Sequence, residues 1–541
     1  MLLPRLIAWA LGTLAGVLSH TCLFIHGEWH VQAPQLLIAH GTILALVVFV
    51  NVHDGLPILF GSYVLALLAS ITIYRAFFHR LAGFDGPWYA RVSKLWHPWA
   101  ARNCQNHLVL DALHKKYGDF VRTGPAEVTI FHPAVFVAMD GPQSSCIKSE
   151  WYDLLHPFKS LVTSRSKSVH AARRRQWSNC FSPKATAHHQ AKIFSHILEL
   201  DKSIEVLART GQPAQMRNLC FWFAFDSMGD FTLSTSFNML RDQQWHHIIS
   251  RIQRAMSLLG PFGTVPWLVQ LTFRLAPSVG HLRDWRETVA WARQQMLSRL
   301  FDRGSKEPIY DLAHFLVEGQ EEGITEQDLS WLHGDSLLAI VAGSEPVAYT
   351  LVGIFRELSL HPDHIDKIHK ELAGVDILSL GVESLQVLSK LPHLNAVINE
   401  SLRLYPTLLT GGARKTSEKG VIVGDTFIPA HTTIISPRYT ITRRDDCFAR
   451  GSEFIPERWT TSPELIHNIA AFSPFGSGHH SCLGRSLALD TMRMVVALIV
   501  KKYDFQFAPG EDGSEVLANL RDQFTANPGN LALCFKLRER D

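Results

Sequence analysis

Three apolar runs open the chain, Leu6–Ile25, Leu36–Val50 and Leu56–Tyr74. The first and last are long enough to cross about 30 Å of hydrocarbon as helices. The middle run is marginal, so the pattern predicts two or three transmembrane segments. A cleaved signal peptide fits poorly, because further apolar runs follow where a cleavage site and a polar mature start would stand. The intervening loops HGEWHVQAPQ and NVHDG contain no Lys or Arg, whereas Arg75, Arg80, Arg91 and Lys94 come after the last run. Positive charge stays on the cytosolic side, so the large C-terminal part is predicted to be cytosolic. Residues 1–80 are read as a membrane anchor. Residues 85–541, which no Ser/Gly linker or repeat interrupts, are read as one catalytic domain.

Helical periodicity dominates that part. Apolar positions persist from Thr325 to Pro362, and Thr325 with Asp328 has the spacing of a capping box. A helix this long and apolar on most sides must run through the protein centre. Pro346 within it frees the carbonyl of Ala342, next to Gly343, which predicts a local opening. A second helix is written in LNAVINESLRLY and stops before Pro406. Short β-rich stretches, KGVIVGDTFIPAHTTIIS and NLALCFKLRE, follow. The expected fold is mainly α with small β-sheets. Residues 255–273 mix bulky apolar side chains with Gly and Pro, which suits a membrane-touching lid or a buried core segment.

Composition sharpens this picture. Charged residues make up 19% of the chain, below the roughly 25% usual for soluble domains, consistent with a lipid-facing portion. A net charge of +3 is too mild for nucleic-acid binding, which needs concentrated Lys and Arg. The eight cysteines are scattered, with no CxxC pair, as in a reducing compartment.

One cysteine has informative neighbours. FSPFGSGHHSCLGRSLALDTMRM is a glycine-rich turn that ends in Cys482 just before a helical pattern. A helix N-terminus with nearby N–H groups stabilises a thiolate. Gly476, Gly478 and Gly484 leave room where backbone and a flat ligand meet. A dinucleotide loop is excluded because Ser481 stands where GxGxxG needs its third glycine. Zinc is a poor fit, since His479, His480 and Cys482 are too tightly strung to complete a tetrahedron. Elsewhere, Glu400 and Arg403 share one helix face at i, i+3. FIPERW, with Arg458, lies downstream, and AGSEP occupies 342–346 in the long helix.

These four landmarks, in this order, resemble those of cytochrome P450 enzymes, and the resemblance extends from about residue 85 to the C-terminus. It implies haem b with Cys482 as the metal ligand, and Phe475, Gly476, His480 and Gly484 around the haem. Arg414, His170 and Arg174 are implied as propionate partners. A buried cluster of Glu400, Arg403 and Arg458 is implied, as such charges survive burial only when matched. Ala342, Gly343, Glu345 and Pro346 occupy the oxygen-binding stretch. Two positions depart from the family pattern. His480 replaces an Arg, so its charge is expected to vary with pH. Pro346 replaces a Thr that serves proton delivery.

The implied activity is that of a monooxygenase, with electrons from NADPH passed by a separate NADPH–cytochrome P450 reductase on the same membrane, in the endoplasmic reticulum. Two alternatives stand beside it: a haem-thiolate isomerase or dehydratase needing no external electrons, and a non-enzymatic haem-binding membrane protein. By family position the pocket is lined by residues 337–350, Leu408, Leu409, Thr410, Phe524 and Thr525, mostly apolar and suited to a lipophilic ligand. The basic run 173–175 cannot all face one ligand, since successive helical residues turn by about 100°. Its outward members could dock an acidic electron donor. The anchor and the segment HAARRRQW look like those of fungal enzymes of specialised metabolism.

Overall fold

The computed structural model describes residues 2–49, 55–301, 310–317 and 325–539. Helix α1 (Leu2–Leu18) continues through a π-turn to Phe24, α2 covers Ala33–Phe49, and α3 (Gly55–Ile73) continues through a π-turn to Phe78. All three apolar runs are therefore helical over nearly their whole described length, Val50 lying outside the described residues. Glycines let α1 and α3 approach closely. A Cβ on Gly12 would lie 2.2 Å from the Leu59 carbonyl oxygen, and one on Gly16 would lie 2.4 Å from that of Tyr63. Small residues at such spacing are how helices pack where water supplies no driving force.

The helix Glu326–Leu360 crosses the middle of the remaining structure. It starts at the expected capping box: the Asp328 amide donates to Thr325 Oγ1 at 3.2 Å and the Thr325 amide to Asp328 Oδ2 at 3.0 Å. By length and apolarity it too could cross a membrane, yet Leu351, Val352, Ile354 and Phe355 are fully buried among protein neighbours. Its main partner is the helix Met216–Leu233, whose FWFAF run is apolar on every side. The contact is close enough that a Cβ on Gly343 would lie 2.4 Å from Met228 Cε.

The opening expected at Pro346 does not occur, and the helix runs through without interruption. Only one donor is lost there, and packing on both sides of the helix keeps the neighbouring turns helical. Ser344 Oγ donates to the Ile340 carbonyl at 2.6 Å, and Thr350 Oγ1 to that of Pro346 at 2.9 Å.

A five-stranded mixed sheet flanks the helices, in the order Phe120–Gly124, Glu127–Ile130, Thr433–Ile435, Arg414–Lys415, Ile147–Lys148. Thr433–Ile435 runs parallel to Glu127–Ile130, and the other neighbours are antiparallel. Residues 521–523 and 525–527 form a hairpin whose tip is the single residue Phe524, at φ +77°. The stretch 255–273 forms short helical pieces; the last, Pro266–Leu275, packs against α2.

Candidate active site

A cavity of about 390 Å³ lies between the central helix and the Cys482 loop. Ala342, Gly343 and Pro346 form one wall, and Phe475, Gly476, His480 and Cys482 the facing one. The loop owes its shape to particular positions. Gly476 and Gly478 adopt φ +63° and +60°, and a Cβ on Gly478 would lie 2.3 Å from the Asp140 carbonyl oxygen. The Cys482 amide donates to the Phe475 carbonyl at 2.9 Å, which closes the turn just before the helix Arg485–Lys502.

The sulfur of Cys482 is open to the cavity while protein surrounds it otherwise. Burial raises its thiol pKa, opposed by a hydrogen bond from the Gly484 amide and by the charges of Arg174 and Arg485. Gly484 itself has an ordinary backbone, and a Cβ there would make only ordinary contacts, at 3.8 Å to Phe181 and 4.0 Å to the sulfur.

Basic groups gather on one side of the cavity. Arg174 reaches from the helix Lys167–Asn179 to the loop, donating to Ser481 O at 2.8 Å and Ser481 Oγ at 3.0 Å. His170 lies one turn earlier, with Nε2 3.4 Å from His480 Nδ1. Arg414 donates to Asp140 Oδ1 at 2.8 Å. Lys148, Tyr152 and Arg438 also line this side and belong to no sequence motif. Burial, with Arg414 nearby, lowers the Lys148 pKa to about 7. Burial and the neighbouring cations lower His170 to about 4 and His480 to about 2. Both shifts favour the neutral imidazole. Burial is the larger cause for His480, and Arg414, Lys148 and Arg174, none of them evident from its sequence context, add to it.

Of the run 173–175, Arg173 pairs at 2.5 Å with the buried Asp335, Arg174 faces the cavity and Arg175 is exposed.

These residues fit haem. A thiol faces the cavity, the opposite wall is small and apolar, and Lys148, Arg174, Arg414 and Arg438 outnumber the one nearby carboxylate, Asp140. Arg438 Nη1 is buried and has no hydrogen-bond partner among the described residues. An unpaired buried guanidinium is costly, and a propionate is the kind of group that satisfies it.

Glu345 lies off the cavity wall. Its carboxylate accepts a hydrogen bond from Thr525 Oγ1, and Thr525 lines the cavity. Burial raises the Glu345 pKa to about 7, against the Thr525 bond and the charge of Arg217. Leu408, Phe524 and Thr525 line the cavity as expected by position. Leu409 and Thr410 do not: Leu409 is buried in the core, and Thr410 Oγ1 donates to Asp522 Oδ2 at 2.8 Å in a separate small recess. The loop after Leu404 turns, so consecutive side chains diverge.

Behind the site, Glu400, Arg403 and Arg458 are fully buried together. Arg403 donates to Glu400 through Nε at 2.9 Å and Nη2 at 2.7 Å, and Arg458 Nε donates to it at 2.9 Å. The Trp459 indole and the Ile455 amide donate to the same carboxylate, each at 2.9 Å. Every oxygen of the buried acid is thus matched.

Comparison with known proteins agrees with this geometry. The profile of the family described as Cytochrome P450 matches residues 91–535. Cytochrome P450 monooxygenase sthD of Phaeosphaeria nodorum is 36% identical, over 87% of this chain and 98% of its own length. Tryprostatin B 6-hydroxylase of Aspergillus fumigatus is 32% identical, over 92% of this chain and 91% of its own. The crystal structure of the cytochrome P450DA heme domain superposes with a TM-score of 0.65 at 16% identity, covering 81% of this chain and 94% of that one, a likeness of fold. With the cysteine loop, the buried Glu–Arg–Arg cluster and this match all coinciding, the chain belongs to the cytochrome P450 family, whose cofactor is a haem iron bound by a cysteine thiolate.

Proposed function

We propose that this fungal-type P450 is a membrane-anchored monooxygenase. It inserts one oxygen atom of dioxygen into a lipophilic small molecule of specialised metabolism and draws electrons from NADPH through a separate reductase. The observation that carries the reading is the cavity, in which Cys482, a cationic side and a mostly apolar wall converge. When bound, haem supplies dioxygen activation, and thiolate ligation favours O–O cleavage. Cys482 supplies the thiolate, steadied by the Gly484 amide and Arg174. Lys148, Arg174, Arg414 and Arg438, which line one side of the cavity, would hold the propionates. Phe181, Phe231 and Leu408 exclude water and favour an apolar substrate. Glu345 stores a proton near neutral pH and is joined to the cavity by the Thr525 hydroxyl.

That hydroxyl weakens the isomerase reading, whose support was the missing threonine at 346. Residues 1–80 serve as the anchor in the endoplasmic reticulum membrane, with residues 85–541 as a cytosolic catalytic domain, as the basic residues after α3 indicate. The test is to compare metabolites of a strain lacking the gene with its parent. The accumulating precursor is then incubated with microsomes carrying this protein and a reductase under isotopically labelled dioxygen. NADPH-dependent product with label supports the proposal, and product formed without NADPH overturns it.

A further inference from the structure

Helices α1 and α3 run parallel. A Cβ on Gly55 would be 3.9 Å from Ala8, Gly12 meets Leu59 and Ser62, and Gly16 meets Tyr63 and Leu67. Further along, His20 Nδ1 lies 2.8 Å from Ser70 Oγ. Both sets of numbers rise together. Two parallel membrane helices require a crossing between them in the opposite direction. The 17 residues of α2 supply it, spanning about 26 Å at 1.5 Å per residue.

With three crossings, the loop between α1 and α2 falls on the side of the catalytic domain, and it is tied to that domain. Arg165 grips Glu28 with both terminal nitrogens, at 2.8 and 2.9 Å, and Lys415 Nζ donates to Glu28 at 2.6 Å. His30 Nε2 lies 2.8 Å from Asp153 Oδ2, and Arg165 also bonds Asp153. Arg165 thus supplies the cation that both carboxylates share. From the other side, the Gln270 amide donates to the carbonyls of Asp153 at 2.9 Å and Leu154 at 2.7 Å. The segment held between these grips, 148–165, contributes Lys148, Tyr152, Leu161 and Val162 to the cavity wall.

We infer that the anchor crosses the membrane three times and that Glu28 and His30 are positioning residues, which strap segment 148–165 over the substrate cavity through Arg165 and Asp153. This rests on the P450 reading of the cavity. The strap explains why a loop with no Lys or Arg of its own lies on the cytosolic side: its acid is paired to two domain cations. It also makes part of the pocket wall depend on the anchor.

The test uses the full haem-loaded chain in lipid nanodiscs, with clotrimazole as an iron-binding spectral probe. Glu28→Gln combined with His30→Ala, which weakens the Arg165 and Lys415 bonds to residue 28 and removes that of His30, should raise hydrogen exchange in 148–165 by at least about tenfold. It should weaken clotrimazole binding several-fold, while exchange in 485–502 and the carbon-monoxide spectrum stay as in the parent. Glu28→Asp should restore much of the protection. Unchanged exchange in 148–165 overturns the strap. A glycosylation acceptor fused ahead of Leu2 should be modified in microsomes, and its staying unmodified overturns the three crossings. Failure of the P450 reading itself would show separately, as absence of the clotrimazole spectrum in the parent protein.

Discussion

Thr525 and Glu345, 180 positions apart in sequence, meet in a buried hydrogen bond in which the threonine hydroxyl donates to the carboxylate. The threonine faces the cavity and the acid lies behind it. The central helix presents Pro346 beside this acid, and the hairpin 521–527 brings a hydroxyl to it from another part of the fold. Thr525→Val should therefore lower product formed per NADPH by up to about a hundredfold, the low end for a lost proton-transfer group. Peroxide release should rise in step. Pro346→Thr, which adds a hydroxyl on the helix, should recover part of the coupling in the Thr525→Val background. An unchanged product-to-NADPH ratio in Thr525→Val would count against this role.

The same acid predicts a pH effect on stability. Its pKa rises from 4.5 to about 7 on folding, so the folded state holds the proton more tightly between these values. Stability from this group is therefore lost as pH rises from about 4.5 through 7, by about 3 kcal/mol in all. Asp522, also raised to about 7 by burial, acts in the same direction. Subtracting the Glu345→Gln unfolding curve from that of the parent isolates Glu345, and the difference should shrink as pH falls from 8 to 5. A flat difference contradicts the assignment.

Cys482→Ala should fold but lose the thiolate-type spectrum of the reduced carbon-monoxide complex and all turnover. Arg438→Met should retain the spectrum with weaker haem retention, by about tenfold, because it removes one of the cations that line the cavity. Haem content after dilution and gel filtration measures this. Full retention would place the propionates elsewhere.

Removing one member of the buried cluster should act on folding rather than on spectra. Arg403→Ala strands Glu400 and opens the bonds to the Thr442 carbonyl at 2.7 Å and the Glu453 carbonyl at 2.9 Å. The expected loss is about 3 to 5 kcal/mol, seen as low yield of haem-loaded protein. Normal yield would show that these bonds are dispensable.

Gly12→Leu or Gly16→Leu should separate α1 from α3 at a cost of about 1 to 2 kcal/mol. A cysteine pair replacing His20 and Ser70 reports the contact by cross-linking. Retained cross-linking in the leucine variants would mean that the helices pack by another face.

Much of this architecture was legible in the chain. The central helix announced itself by Thr325 and Asp328, and the cysteine loop by its glycines, of which 476 and 478 adopt positive φ. Lys148 and Arg438 were not legible, because lone basic residues carry no spacing and only the tertiary fold turns them to one cavity. The direction of Glu345 was hidden for the same reason. Leu408 and Leu409 look equivalent in sequence, yet one faces the cavity and its neighbour the core, since a turning loop has no period. The glycine pair 12 and 16 marks a packing face without naming its partner, so the parallel order of α1 and α3 emerges only in three dimensions.

Phe524 sets one position where durability and selectivity pull apart. Its positive φ makes it the strained centre of a one-residue turn, a conformation that costs a non-glycine residue about 1 to 3 kcal/mol. The ring recovers part of that by stacking on Trp151, with centroids 4.9 Å apart and planes at 25°. Phe524→Gly would relax the backbone while removing an aromatic wall of the pocket. Selection at this codon therefore weighs a relaxed turn against an aromatic wall, and the glycine enzymes would accept a broader range of molecules.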